Sequence, residues 1–255
     1  MGTTPALMVV LSHPQDQARD AEFNDWYSGN HLQDVVLVPN FDSASRFKQS
    51  KVVVGSSPPY LALYQVNATN MDSTHDAVMQ HFGAPNDYRL PMPAASGGAE
   101  GGLVTVDGWG YYEKIGEQGA PSPSGDNRPK AMMIVFTHPV DLSMEDQFNE
   151  WYNGNHIIDV IKTPHFRSAT RYRLSKGVRG AMPAPYLAVY ELDNDDVEAV
   201  HEGLMTWMGT PDDFRLPMPK TPDGTQLVGI DFWGYYSQRG SALPIPLATL
   251  LSQAR

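Results

Sequence analysis

The sequence predicts an α+β fold made of two tandem βαββαβ repeats. The segment Phe23–His31 returns 125 residues later as Phe148–His156, with seven of nine positions identical. Such self-similarity within one chain indicates a duplicated structural unit. Short apolar runs typical of strands and amphipathic runs typical of helices also follow the same order on both sides of a Gly-, Pro- and Ser-rich stretch, which is typical of a linker.

In the first repeat, residues that favour turns divide the chain into six elements. A helix over 19–34 carries Tyr27, His31 and Asp34 on one face, because these positions recur at helical spacing. The pair Gly29-Asn30 indicates fraying in its last turn. The other predicted elements are strands over 6–13, 41–54, 60–66 and 103–112, a second helix over 73–82 and a proline-rich loop over 85–93.

The second repeat is predicted to follow the same order. Its elements are a strand over 132–138, a helix ending near Asp159, strands over 166–174 and 185–192, a helix over 195–208 and a strand over 227–236. We place the first repeat at 1–115, the linker at 116–129, the second repeat at 130–240 and an apolar C-terminal arm at 241–255.

A βαββαβ unit is the split βαβ, or ferredoxin-like, arrangement, in which two helices lie on one face of a four-stranded antiparallel sheet. The opposite face is apolar and must be covered. Two copies in one chain can cover each other, sheet against sheet. The sequence therefore predicts one intrachain barrel with two similar pockets.

Composition excludes several classes of function. The net charge is −11, from 18 Lys and Arg against 29 Asp and Glu, and a balance of this sign without a basic stripe argues against nucleic-acid binding. The absence of Cys excludes disulfides and thiolate nucleophiles. No run has the length of a membrane helix and no signal peptide is evident, so we expect a cytoplasmic protein without a membrane partner. Association into a homo-oligomer stays open.

Two short motifs carry a resemblance to a known family. They are Trp26-Tyr27 with His31 and Pro39-Asn40-Phe41, and Trp151-Tyr152 with His156 and Pro164-His165-Phe166. The chain resembles a tandem member of the dimeric α+β barrel superfamily, closest to its EthD-like branch. Many relatives have Gly between that Pro and Phe, so Asn40 and His165 predict a slightly different turn. The resemblance implies a spread of activities: cofactor-independent cyclases, isomerases, dehydratases and monooxygenases, haem enzymes, and proteins of unassigned role.

His31 and His156 are the first candidates for catalysis. A histidine titrates near neutral pH and suits general acid/base catalysis, but a histidine at this place can also only orient the end of its helix. Asp34 and Asp159 would orient the imidazoles or a substrate group, or else be solvated residues at the helix end. No second His/Glu pair has matching spacing, so we expect no metal.

Several other polar and aromatic residues recur in both repeats. Arg46 and Arg171 either pair with Asp34 and Asp159 or hold a substrate carboxylate. The remaining candidates for substrate binding are Tyr27, Tyr64, Trp109, Tyr152, Tyr190 and Trp233, which serve either as core residues or as an aromatic wall for a flat ligand.

Three further groups of residues have weaker indications of function. His13 and His138 end the first strand of each repeat and are interpreted as structural, or as lining the far mouth of a pocket. The segment 89–93 is identical to 215–219 and is either packing at the junction of the repeats or a lid over the pocket. The histidines predicted to be surface or packing residues are His75, His81, His165 and His201.

These patterns favour a cofactor-independent acid/base enzyme of lyase or isomerase type. Its substrate would be a small aromatic, lactone or polyketide-like molecule. Two other classes stay open, namely a non-catalytic binder of a hydrophobic metabolite, and a haem-dependent or cofactor-free oxygenase. No phosphate-binding loop, nucleophile elbow or zinc-protease motif is present in the sequence.

Overall fold

The computed structural model describes residues 3–82, 91–98, 101–120, 129–210, 213 and 216–242. Its eight strands are β1 (Thr4–Pro14), β2 (Phe41–Gly55), β3 (Tyr60–Ala68), β4 (Val104–Gly119), β5 (Ala131–Pro139), β6 (Phe166–Gly180), β7 (Tyr186–Leu192) and β8 (Val228–Ala242). The first predicted strand, the hairpin and the later strands of both repeats are therefore confirmed, and β4, β6 and β8 extend furthest beyond their predicted ends.

Each repeat contributes two main helices. The first, α1, consists of Asp20–Trp26, a π-helical turn over Tyr27–His31 and Leu32–Val35, and its counterpart α3 consists of Glu145–Trp151, Tyr152–His156 and Ile157–Val160. The second helices are α2 (Met71–His81) and α4 (Val197–Trp207). Short 3-10 turns lie at Gln17–Arg19, Ser96–Gly98 and Leu142–Met144.

The strands close into one antiparallel barrel in the order β1-β3-β2-β8-β5-β7-β6-β4. Each repeat thus supplies four neighbouring strands, and the barrel is closed by two pairings between repeats, β2 with β8 and β4 with β6. The predicted covering of one sheet by the other is confirmed. It removes the free sheet edges that would otherwise be exposed to pairing with other chains.

Successive side chains of each strand point to opposite faces of the sheet and so pack in two different cores. Leu7, Val9 and Leu11 point into the barrel interior, where side chains from both repeats pack together. Met8 and Val10 point outward, beneath the helices of the first repeat. An equivalent outer core lies beneath α3 and α4, so the molecule has one shared core inside the barrel and one outside it for each repeat.

Each outer core also receives residues from the other repeat. Val53, on β2, packs in the core beneath α3 and α4, and Val178, on β6, packs in the core beneath α1 and α2. Lys51 pairs with Glu198 and Lys176 pairs with Asp72, which joins each long hairpin to the second helix of the opposite repeat. The long strands therefore connect the repeats beyond the barrel itself.

Two boundaries of the sequence prediction need correction. Strand β4 continues to Gly119 and β8 to Ala242, so the start of the predicted linker and the start of the predicted arm belong to strands. Residues 121–128 and 243–255 lie outside the described residues. Asn40 and His165 have φ values of 75° and 74°, the left-handed conformation that Gly adopts readily.

The helix predicted over 19–34 does not fray at Gly29 and Asn30. Instead the chain makes a π-helical turn over Tyr27–His31 and then continues as α-helix to Val35. Gly29 and Asn30 are the poor helix formers within this turn. The second repeat contains the same turn at Tyr152–His156. Such turns are rare and frequently lie at functional sites.

None of the helices in the described part of the chain has the length and apolar character needed to cross a membrane.

We predict that Gly55→Ala lowers the free energy of unfolding by about 1–3 kcal/mol, because the residue has a positive φ and strain of that size is typical there. Its φ is 72°, and a Cβ would lie 2.1 Å from the Asp231 carbonyl oxygen. Gly203→Ala is the matched control, since a Cβ there meets nothing within 4 Å and a helical Ala stabilises by about 0.5–1 kcal/mol. Urea unfolding measures both. Equal stability of the two variants would contradict the described contact at Gly55.

Candidate functional site

A cavity of about 280 Å³ lies in the first repeat between the helices and the outer face of the sheet. Its lining is mainly apolar, and its polar atoms come from a few aromatic and imidazole side chains. The described lining residues are Met8, Val10, Trp26, Tyr27, His31, Val35, Tyr64, Val78, Phe82, Pro91, Met92, Val104, Val106 and Trp109. Concave, mainly apolar spaces with a few polar groups are the usual form of small-molecule sites.

The π-helical turn places His31 in this cavity. The imidazole stacks on the indole of Trp26, with ring centroids 4.9 Å apart and planes 15° from parallel, and it meets Tyr27 edge-on at 4.8 Å. Trp26 and His31 are five residues apart, and a turn with hydrogen bonds from i to i+5 brings such residues to one side. The ring is therefore held in a fixed orientation by two neighbours on its own helix.

Two tyrosine hydroxyls form the polar part of the cavity. Tyr27 and Tyr64 are fully buried, and burial is the main cause that raises the pKa of each phenol. The Tyr64 hydroxyl makes no hydrogen bond of normal geometry to a described residue, although the Tyr27 hydroxyl is near enough to affect its pKa. Both phenols therefore stay protonated near neutral pH and can donate hydrogen bonds.

Asp34 has a different partner from the one predicted. Its Oδ1 lies 3.1 Å from Nε2 of His81, and the two side chains are 2% and 6% exposed. His81, interpreted from the sequence as a surface or packing residue, is thus a buried member of a polar pair. A carboxylate removed from water in this way requires such a partner.

The second repeat lacks this pair. Trp207 ends α4 where His81 ends α2. Asp159 instead lies 4.0 Å from Nζ of Lys162, whose side chain is 41% exposed. The two sites thus share their imidazoles but differ at the end of the second helix, where the first repeat has His81 and the second has Trp207.

Arg46 is also placed differently from the prediction. It does not line the cavity, and its described hydrogen bonds go from Nη1 to Oδ1 of Asn24 at 2.6 Å and to Oγ of Ser28 at 3.0 Å. The predicted pairing with Asp34 is not formed. Its guanidinium lies instead among aromatic rings, one of which is that of Tyr27.

The second repeat repeats most of this arrangement. His156 stacks on Trp151 at 4.9 Å and meets Tyr152 edge-on at 4.8 Å. Burial raises the pKa of Tyr190 well above the usual value, with Tyr152 as the next cause. Trp233 packs on the same outer core. The ring contacts around His156 therefore match those around His31 in geometry as well as in sequence.

His13 and His138 belong to another part of the molecule. Their Nδ1 atoms lie 2.7 Å from Asp107 and 2.6 Å from Asp231. Neither histidine is among the described residues lining the cavity around His31. The two carboxylates line a separate open cavity between the repeats. The structural interpretation of both histidines agrees with these contacts.

The other histidines pack against the fold or close turns. His75 lies 5.2 Å from Trp109, and His201 lies 5.6 Å from Trp233, measured between ring centroids. Burial, followed by a lysine of the opposite repeat, lowers the pKa of His75 and of His201. His165 contacts Asp193 at 2.9 Å in its turn.

The duplicated proline-rich segment lies beside the site. Pro91 and Met92 line the cavity. In the second repeat the Leu216 carbonyl accepts a hydrogen bond from the indole of Trp151, and the Leu216 amide donates to Asn155. These contacts favour the lid interpretation over packing at the junction of the repeats. Arg89, Leu90 and Arg215 lie outside the described residues.

Sequence reasoning missed two residues of the site. Trp26 was recognised only as part of a family motif, although its repetition as Trp151 was a usable signal. His81 has no such signal in the sequence, because its counterpart is Trp207 and the histidine is not repeated.

The described residues contain no group of three or more His, Asp or Glu side chains arranged to hold a metal ion. The cavity, at about 280 Å³, is near the lower limit of roughly 300 Å³ for small-molecule pockets.

We predict that His81→Leu lowers the free energy of unfolding by at least about 2 kcal/mol, because it removes a buried partner of the Asp34 carboxylate. Lys162→Ala is the matched change in the second repeat. It should cost less than about 1 kcal/mol, since its lysine is substantially exposed. Chemical denaturation measures both changes. A larger loss of unfolding free energy for Lys162→Ala than for His81→Leu would contradict the view that Asp34 depends more on its partner than Asp159 does.

No family model matches the chain. A curated protein named core atranone cluster protein 1, from Stachybotrys chlorohalonatus (strain IBT 40285), is 40% identical over 67 residues, which are 26% of this chain and 28% of that protein. The match therefore spans little more than a quarter of the curated relative.

Solved structures share the fold over nearly the whole chain. A protein described as anthrone oxidase-like superposes with a TM-score of 0.55 at 9% identity and covers 94% of this chain and 93% of its own. A monooxygenase-like protein from Fusobacterium nucleatum subsp. nucleatum ATCC 25586 has a TM-score of 0.51 at 7% identity, with 94% and 97% covered. The chain thus has the dimeric α+β barrel fold, completed by two ferredoxin-like repeats within one polypeptide.

Proposed function

We propose that the protein is an enzyme that transfers protons on a small aromatic ketone or a related lactone or polyketide-like molecule. The observation that carries the proposal is the position of His31, which is stacked on Trp26 in an apolar cavity beside a buried phenol, Tyr64. The counterpart around His156 would bind the same class of molecule.

Each part of the cavity supports a step of such a reaction. An imidazole can accept a proton from a carbon that is next to a carbonyl group or, as in anthrone, conjugated with it through the aromatic rings. Negative charge then develops on the carbonyl oxygen, and a preorganised donor stabilises it. The Tyr64 hydroxyl suits this role, because burial raises its pKa and keeps it protonated.

The apolar lining supports the choice of substrate. Trp26, Trp109 and Phe82 offer flat aromatic surfaces, while Val and Met side chains form the remaining wall. A planar ring system with one carbonyl group would bury its apolar surface and leave one oxygen for Tyr64. We choose anthrone as the first substrate to test, because it is a planar aromatic ketone and one structural relative is described as anthrone oxidase-like.

The test is exchange of the methylene protons of anthrone in deuterated buffer without oxygen, followed by proton NMR. We predict that the wild-type protein accelerates this exchange. Changing His31 and His156 together to Ala should lower the enzymatic rate by about 10²- to 10⁴-fold, the usual contribution of general acid/base catalysis. His13→Asn serves as the control, because His13 does not line this cavity.

Undiminished exchange in a folded double variant would contradict the assignment of the two imidazoles. Formation of anthraquinone only when air is admitted would identify the cofactor-free oxygenase alternative, with the same proton removal as its first step. Tight binding of anthrone without exchange or product would favour the second candidate, a non-catalytic binder, which the mainly apolar lining also fits.

A further inference from the structure

The side chain of Arg46 is an unusual feature of the interior. It is fully buried, at 0% exposure, and its guanidinium carbon lies 4.5 Å from the ring centroids of Phe23, Tyr27 and Tyr60. Only Nη1 donates hydrogen bonds, whereas Nε and Nη2 have no partner among the described residues. Arg171 repeats the arrangement with Phe148, Tyr152 and Tyr186.

No described carboxylate forms an ion pair with either guanidinium. Arg46 reaches Asp20 only through Asn24, and that carboxylate is already engaged by the Tyr60 hydroxyl and by Lys48. Burial lowers the pKa of Arg46, but a guanidinium is not deprotonated in proteins. A positive charge therefore remains in the interior with incomplete hydrogen bonding, which costs stability.

This charge lies directly behind the wall of the cavity. Tyr27 presents its ring face to Arg46, meets His31 in a T-shaped contact, and also lines the cavity. The positive charge lowers the pKa of Tyr27 and of Tyr64, in opposition to burial. The buried carboxylate that opposes Arg46 near Tyr64 is Asp34, and it is paired with His81. The two phenols thus stand between a fixed cation and any bound ligand.

We propose that Arg46 and Arg171 are positioning residues that make each site bind the anionic form, a phenolate or enolate, of an aromatic ligand in preference to its neutral form. They act through Tyr27 and Tyr152, whose rings they contact, and not by touching the ligand. The inference rests on the proposed function, because it concerns the same cavity and supplies the charge that a developing enolate needs.

The expected size of the effect follows from elementary electrostatics. At an effective dielectric constant of about 20, a full charge one ring beyond the cavity wall changes an ionisation equilibrium by roughly tenfold. The nearby cation polarises the tyrosine hydroxyls, which therefore donate stronger hydrogen bonds to an anionic oxygen than to a neutral one.

Para-nitrophenol tests the inference, because its phenol and phenolate forms absorb at different wavelengths. Its ionisation is titrated by absorbance, free and bound, with the whole protein carrying His31→Ala and His156→Ala. Removing both imidazoles excludes a contribution from imidazolium. We predict that the bound phenol ionises about one pH unit lower than the free phenol.

Matched variants assign this shift to the two arginines. Arg46→Gln with Arg171→Gln should abolish the shift or reverse its sign, while Arg46→Lys with Arg171→Lys should retain part of it. Arg173→Gln is the control for net charge, since Arg173 lies on the same strand as Arg171 but its side chain is 58% exposed. It should leave the shift unchanged.

Each outcome decides the inference. Preferential binding of neutral phenol, an unchanged shift in a folded glutamine variant, or no binding of either form would overturn it. If the glutamine variant does not fold, the lysine variant and the sign of the shift with both arginines in place still decide. If bound para-nitrophenol ionises at lower pH but anthrone protons do not exchange, only the proposed function is contradicted. If anthrone protons exchange but the ionisation of para-nitrophenol does not shift, only the role of the arginines is contradicted.

Discussion

The rest of the structure depends on the mutual covering of two apolar sheet faces. A single four-stranded sheet with helices on one side leaves Leu7, Val9 and their neighbours exposed on the other. Pairing β2 with β8 and β4 with β6 buries both faces in one interior. Hydrophobic burial on that scale is the main driving force for folding, so the duplicated sequence and the closed barrel are two aspects of the same requirement.

Barrel closure leaves the outer faces of the sheets for the helices, and the candidate site forms there. The π-helical turn of α1 is the local device that matters most. It inserts an irregularity between two α-helical segments and brings Trp26 and His31 into a stack. An imidazole held in this way has a fixed direction into the cavity, which a frayed helix end would not provide.

The sequence predicted the architecture well, because repetition and alternation report directly on burial. It predicted His31, Tyr27, Tyr64 and Trp109 as site residues, and the structure brings these four around one cavity. It did not predict the π-helical turn, since the same glycine and asparagine favour fraying and a wider turn equally. The spacing of residues in the sequence predicts which face of a helix or strand a side chain lies on. It does not predict which side chains of other elements that residue contacts.

Arg46 and Asp34 illustrate this limit. A strand arginine and a helix aspartate repeated in both halves suggested an ion pair or a substrate clamp. The structure instead places the arginine among aromatic rings and gives the aspartate a histidine partner from another helix. Polar pairing in the interior is decided by tertiary contacts, and the nonrepeated His81 shows that duplicated halves can diverge there while keeping the same fold.

The central claim is that the space beside His31 is a binding site for a small aromatic ketone. A crystal structure of the protein soaked with anthrone tests it most directly. The account predicts ligand density between the His31 imidazole and the Tyr64 hydroxyl, with the ring system against Trp26 and Trp109. Density confined to the cavity beside Asp107 and Asp231, or an imidazole turned away from an empty space, would contradict it.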